Sequence, residues 1–287
     1  PDCEILAEFL KQLGVDLVVV ESTGGYERRI CRHLHAIDVP VAVVQAARVR
    51  YFARSKGILA KSDRIDAQLI ADYGHTHRPV PTAPKSTTQR ELRALAERRD
   101  QLLQDRIREQ NRLESCDSDI VAQQLRQNIH RLNQQIQEIE NKIDQTIDND
   151  PWMKNLHSSL QTISGIGPVT ATVLVTYLPE LGRLNRQAVA ALSGLAPYDR
   201  DSGAYRGKRT IFGGRARLRE AMYMAAVTAS RHNEHLKPFY QRLKNEGKDS
   251  KVALIACARK LLVHANSMAA RLLEQHAENN ASTRDNH

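Results

Sequence analysis

Aromatic residues are scarce, making up 5% of the 287 residues. That argues against a large β-sandwich and against a protein that holds single strands by base stacking. Cysteine is sparse too. Cys3, Cys31, Cys116 and Cys257 form no C-x-x-C pair and no His cluster accompanies them. A zinc ribbon and a disulfide framework are both disfavoured, and the four read as ordinary cytosolic thiols. No uninterrupted apolar run approaches 18 residues, so a spanning helix and a membrane partner are not expected. The first ten residues are amphipathic and acidic rather than signal-like, which places the chain in the cytoplasm. Acidic residues are outnumbered: 42 Lys and Arg against 33 Asp and Glu give a net charge of +9. An excess of that size points to a polyanionic partner, nucleic acid first.

What is present divides into regions. Ile5 to Leu13 has helical spacing and Gly14 ends it. Val15 to Val20 and Val39 to Val44 are β-branched runs, expected as parallel strands buried on both faces. Helical stretches follow each, and Ser62 is placed to cap a further helix running to about Tyr73. A Pro-rich stretch, Arg78 to Pro84, closes this α/β region, residues 1–84. Two strands make a poor sheet, so the region reads as the back half of an α/β domain.

Residues 86–148 contain neither Pro nor Gly. Leu125, Ile129, Leu132, Ile136, Ile139 and Ile143 recur at steps of four and three, the spacing of a coiled-coil seam. Ser115 to Asp119 is polar and suits a turn, so residues 85–150 are expected as two long helices in a hairpin or dimer stalk. Residues 151–278 are expected as a mainly helical domain, and 279–287 as a disordered tail. The last helix is expected over Lys251 to Leu273, with Val252, Ile255, Arg259, Leu262 and Leu272 near one face.

Several residues have chemical potential, each with a plainer alternative. Glu21 ends the first strand, where ligands gather in open α/β sheets; a solvated strand-end carboxylate explains it equally. Asp63 and Asp66 fall on one helix face and with Glu21 would make a hard-oxygen site for Mg²⁺ or Mn²⁺. Aspartates in a first turn also simply complement the helix dipole. Ser164 to Pro168 resembles the turn of a helix-hairpin-helix, with Gly165 and Gly167 allowing a tight bend and free amides available to a DNA phosphate. An ordinary turn between packed helices is the alternative. Between Tyr198 and Glu220 there are seven basic and three acidic residues, including Arg206, Lys208, Arg209 and Arg215. That density suits phosphate contacts. Ser202 lies inside it beside Gly203, where nearby cations would stabilise charge on a phosphoryl group. A turn serine is the unremarkable reading.

In order along the chain, these segments resemble one family. They are Val18-Val-Val-Glu-Ser-Thr-Gly-Gly-Tyr26, Lys61-Ser-Asp-Arg-Ile-Asp-Ala67, Ser164-Gly-Ile-Gly167, Ser193-Gly-Leu-Ala-Pro197, Asp201-Ser-Gly203, Gly207-Lys-Arg209 and Gly213-Gly-Arg215. The sequence resembles the DEDD-type transposases of insertion-sequence family one-ten, over nearly its whole length. The resemblance implies a RuvC-like α/β domain of ribonuclease-H type, a coiled-coil stalk and a C-terminal transposase domain. It implies that Glu21, Asp63 and Asp66 are three of four acidic residues holding Mg²⁺, and that Ser202 is the nucleophile. It also implies a structured guide RNA, double-stranded donor and target DNA, and a homo-oligomer assembled through the coiled coil. The family opens with a strand bearing the first Asp, and neither Asp2 nor Asp16 follows such a strand. The chain is therefore expected to be N-terminally truncated or decayed, with weak or no activity as written. Two other readings stand beside it: a metal-dependent junction nuclease using water, and a catalytically dead nucleic-acid-binding remnant.

Overall fold

The structure is a computed structural model describing residues 2–60, 62–198 and 210–284, with side chains to residue 278. The chain forms two compact units, residues 1–86 and 87–287.

The first unit runs α1 (Asp2–Gln12), β1 (Val18–Ser22), α2 (Glu27–Ala36), β2 (Val41–Gln45), α3 (Ala46–Ser55) and α4 (Asp63–His77). β1 and β2 pair in parallel, Val18 opposite Val41 and Glu21 opposite Val44. Alternation along the strands fills two cores. Val18, Val20 and Val43 pack with Ala7, Cys31 and Leu34 of α1 and α2. Val19 and Val44 pack with Val49, Ala53, Leu69 and Tyr73 of α3 and α4. Helices thus cover both faces, as a parallel sheet requires.

The strands begin two or three residues later than the apolar runs suggest, and β1 is only half-buried throughout. β1 has one strand neighbour among the described residues, so its outer edge is not shielded as an internal strand's would be. β2 is better covered. Beyond its outer edge, Thr82 donates its amide to the Val41 carbonyl at 2.8 Å and accepts from the Val43 amide at 3.0 Å. The Pro-rich segment therefore acts as an edge cover. Ser62 caps α4 as expected, its hydroxyl accepting from the Ile65 amide at 3.3 Å. α4 continues four residues past Tyr73 before Arg78 adopts a left-handed conformation.

The second unit starts with a helical hairpin, α5 (Thr87–Glu114) and α6 (Asp119–Asp148). Arg99–Glu140, Arg106–Asn133 and Glu109–Asn128 contacts fix an antiparallel register. Ile136 and Ile143 of the apolar seam are buried, while Leu125, Ile129, Leu132 and Ile139 are half-buried. The hairpin is not a separate body: Leu92, Ala96, Ile143 and Ile147 at its base belong to the main core of the unit.

That core continues through α7 (Pro151–Gln161), α8 (Pro168–Tyr177), α9 (Arg186–Leu192), the short strands β3 (Pro197–Tyr198) and β4 (Thr210–Ile211), α10 (Ala216–His232), α11 (Leu236–Asn245) and α12 (Ser250–Arg284). Two expectations are corrected here. The tail is helical as far as Arg284. On α12, Leu262 is buried and Ile255 and Leu272 are partly buried as expected, but Val252 is exposed, and Ala253, Cys257, Leu261, Ala265 and Ala269 make the rest of the buried face alanine-rich. Small side chains let α10 and α12 approach closely. Those alanines also explain why Ser250–Glu278 is long and apolar enough, by length and composition, to cross a membrane although no unbroken apolar run exists. Half of that window is buried against the rest of the unit, the placement of a core helix.

Candidate functional site

In the first unit, Glu21 is the fourth residue of β1, half-buried at the carboxyl end of the strand. Asp63 and Asp66 occupy the first turn of α4, the former exposed and the latter half-buried. The Asp66 amide donates to the Ser62 carbonyl at 2.8 Å, so the cap fixes the start of the helix that carries both carboxylates. Among the described residues, no three Asp, Glu, His or Cys side chains converge closely enough to hold a metal ion. Glu21, Asp63 and Asp66 are therefore not assembled as a three-donor group.

Between Glu21 and α2 lies a turn with its own internal clamp. The Glu27 carboxylate accepts from the amides of Thr23 at 3.1 Å and Gly25 at 2.9 Å. Nothing in the sequence pattern singled out Glu27, although a carboxylate in the first turn of a helix after a Gly-Gly pair is the available signal.

In the second unit, β3 and β4 form an antiparallel pair, Pro197 opposite Ile211 and Tyr198 opposite Thr210. These strands flank residues 199–209, the segment of the sequence that contains Ser202. Ser202, Arg206, Lys208 and Arg209 themselves lie outside the described residues. The base of the hairpin is tightly fixed. Gly214 packs directly on the backbone of Gly194, with no room for a side chain between them. The Arg215 amide donates to the Leu192 carbonyl at 2.8 Å. The motif segments 193–197 and 213–215 are thus one structural feature.

Arginines complete the anchoring. Arg215 makes a two-pronged pair with Glu180, both contacts at 2.7 Å, and donates to the Tyr177 carbonyl at 2.9 Å. Arg217 does the same with Asp100 at 2.7 and 2.9 Å. Arg219 donates to the Gly213 carbonyl at 2.7 Å. Paired forks of this kind orient rigidly. The sequence shows a cation-rich stretch, but its last three members are committed to protein acceptors. Their partners lie up to 117 positions away, beyond any local pattern.

Tyr177 ties the network together. Its hydroxyl donates to Asp100 at 3.2 Å and the Arg93 guanidinium lies over its ring at 3.9 Å. Burial, and then the charge of Asp100, push its hydroxyl up to about 12.

The glycine turn between α7 and α8 resolves into two roles. Gly165 has φ of 107°, and a Cβ there would lie 2.6 Å from the Ala229 Cβ. It is the contact point of the turn with α10. Gly167 begins α8 in open space, with Pro168 in the first turn and Val169 exposed beside it. The start of α8 is thus open at Gly167 and Val169, while Pro168 has no amide to offer and Thr170 is buried.

A family model described as Transposase, for DEDD transposases of the IS110 type, matches residues 3–120. A second, described as Transposase IS116/IS110/IS902 family, matches residues 157–241. The chain is 31% identical over 250 residues to a pilin gene-inverting protein of Moraxella lacunata, covering 85% of this chain and 77% of the relative. A pilin gene-inverting protein of Moraxella bovis matches to the same extent. The transposase for insertion sequence element IS1328 of Yersinia enterocolitica is 26% identical over 240 residues, covering 72% of this chain and 68% of the relative.

Proposed function

The chain belongs to the IS110 family of transposases, and from that membership we propose that it cuts and rejoins DNA through Ser202. It is an enzyme of DNA transposition or recombination, and DNA is its substrate. Relatives named for gene inversion and for insertion-sequence transposition have in common the exchange of DNA strands. That is the chemistry assigned to this chain.

In the proposed step, the Ser202 oxygen attacks a backbone phosphorus. A serine–phosphate ester forms, one phosphorus–oxygen bond to deoxyribose breaks, and the proton that leaves the Ser202 hydroxyl is matched by the one the departing oxygen takes up from solvent. A hydroxyl of the exchanged strand then attacks the same phosphorus and frees the serine. Phosphodiester bonds are conserved in number and no nucleotide cofactor is needed. Arg206, Lys208 and Arg209 follow Ser202 within seven residues and would stabilise the charge gathering on the phosphoryl oxygens. The observation that carries this reading is the anchored β3–β4 pair. Gly214 against Gly194 and the Arg215–Glu180 fork hold rigidly the two ends of the segment that contains Ser202.

Family membership suggests a divalent metal, and we assign Mg²⁺, with Glu21, Asp63 and Asp66 as the carboxylates it would draw on. Those three do not gather into a donor group among the described residues, and the serine step above rests on Ser202 and its neighbouring cations. Gly167 and the open start of α8 serve as a backbone-phosphate contact, with Gly165 setting the turn. Arg215 contributes through the hairpin base. A structured RNA supplies the sequence choice by base pairing with both DNAs, and copies of the chain assemble through the α5–α6 hairpin.

The test is recombination of donor and target DNA in the presence of Mg²⁺ and the structured RNA. The wild-type chain is expected to be weak, and whatever rejoined product it yields is expected to depend on Ser202. Ser202→Ala is expected to yield none while still binding DNA. Rejoined product from Ser202→Ala at the wild-type rate overturns the serine assignment.

A further inference from the structure

The ring of Tyr26 stands in open solvent, 87% exposed, more than any other large apolar or aromatic side chain among the described residues. It is not on a slack loop. The Glu27 carboxylate clamps the amides of Thr23 and Gly25. The Arg28 amide donates to the Gly25 carbonyl at 3.1 Å. Gly24 and Gly25 take φ of 69° and 110°, which lets the chain reverse directly after Glu21 and Ser22. Tyr26 itself has helical angles, φ −61° and ψ −33°. It therefore shares a helix face with Arg29 one turn on, and both Arg29 and Arg32 are exposed.

A rigidly displayed aromatic ring with guanidinium groups beside it suits one class of ligand above others. An unpaired nucleotide offers a flat base to the ring and a phosphate to the arginines. Tyrosine has few side-chain torsions to immobilise, so stacking on it loses little entropy. A protein partner would be matched by apolar neighbours around the ring. Here the residues that follow along the helix are Glu27, Arg28 and Arg29.

We propose that Tyr26 stacks on an unpaired DNA base beside the carboxyl end of β1, holding a strand that has been opened close to Glu21. The inference rests on the DNA-recombinase reading above and adds to it the part of the substrate that this turn contacts. Strand exchange requires bases to leave their partners, and a single ring is enough to hold one of them. A sequence poor in aromatics is consistent with one stacking residue rather than a stacking platform.

The experiment uses the whole chain and two duplexes of equal length, one fully paired and one with a short gap opposite 2-aminopurine. The wild-type chain and Tyr26→Phe are expected to quench 2-aminopurine fluorescence on binding the gapped duplex. Tyr26→Ala is expected to lose that quench and to bind the gapped duplex about 5- to 100-fold more weakly, with fully paired duplex bound as before. The side chain buries little, so the alanine variant should unfold close to the wild-type temperature. Equal quenching by the wild-type chain and Tyr26→Ala overturns the stacking and leaves the recombinase reading in place. Failure of the wild-type chain to bind either duplex overturns both.

Discussion

Tyr177 carries the clearest electrostatic signature at the residue scale. It is buried, donates to Asp100, and sits under Arg93. Its hydroxyl is pushed up to about 12 by burial and then by the Asp100 charge. The folded state therefore holds this proton more tightly than the unfolded chain, where tyrosine titrates near 10. The stability it contributes is whole below pH 10 and is lost as pH rises towards 12. Tyr177→Phe is expected to destabilise the second unit at pH 7 by about 1.5–3 kcal/mol, the value of a hydrogen bond to a charged group. That deficit should disappear between pH 10 and 12 in denaturant melts of the two proteins. A deficit that grows over that range would contradict the assignment. Arg215 behaves differently from what composition suggests. It reads as one more cation in a basic stretch, yet both prongs of its guanidinium are on Glu180. Arg215→Lys keeps the charge but loses the fork. It is expected to reduce strand exchange while leaving the salt dependence of DNA binding almost unchanged.

At the scale of elements, the helical hairpin is the part most legible in the sequence. The absence of Pro and Gly, the polar cluster at 115–119 and the four-and-three spacing gave α5, the turn and α6 to within a few residues. Burial graded along that seam makes a direct test. Ile143→Ala is expected to cost about 2–4 kcal/mol, because Ile143 is buried where the hairpin joins the main core. Ile120→Ala, 75% exposed near the tip, is expected to change stability by less than about 0.5 kcal/mol. Urea midpoints of the isolated variants check both. The glycine turn offers a second test. Gly165→Ala forces a Cβ towards Ala229 at an already left-handed φ, and should cost about 1–3 kcal/mol. Other elements were less legible for identifiable reasons. β3 and β4 are two residues each and are held by Gly194, Gly214 and distant ion pairs, none of which leaves a period-two pattern. On α12 the expected Leu262 is buried, but Val252 is exposed and alanines between the larger residues complete the packed face, which large-residue spacing alone does not show. Helix caps such as Ser62 were readable because a cap is a local interaction between residues three apart.

For the whole molecule, the order of the motifs carried more information than any single motif. Glu21, Asp63 and Asp66 are each ordinary in their own surroundings, and the structure does not gather them into a donor group among the described residues. Ser202, which lies outside the described residues, is assigned on the Asp201-Ser-Gly203 motif, and the fold joins the Ser193 to Pro197 and Gly213 to Arg215 segments on either side of it into one anchored base. The net charge of +9 has a whole-molecule consequence as well. DNA affinity should fall linearly with salt on a double logarithmic scale. Replacing Arg206, Lys208 and Arg209 together by alanine should reduce that slope by about 2 to 3 if all three neutralise phosphates. The measurement that bears most directly on the central claim is denaturing electrophoresis of end-labelled donor DNA incubated with the chain, Mg²⁺ and the structured RNA. The account predicts a protein–DNA band that survives denaturation, is absent with Ser202→Ala, and yields phosphoserine at position 202 on digestion. Cleaved DNA with no such band, or a band undiminished by Ser202→Ala, would contradict it.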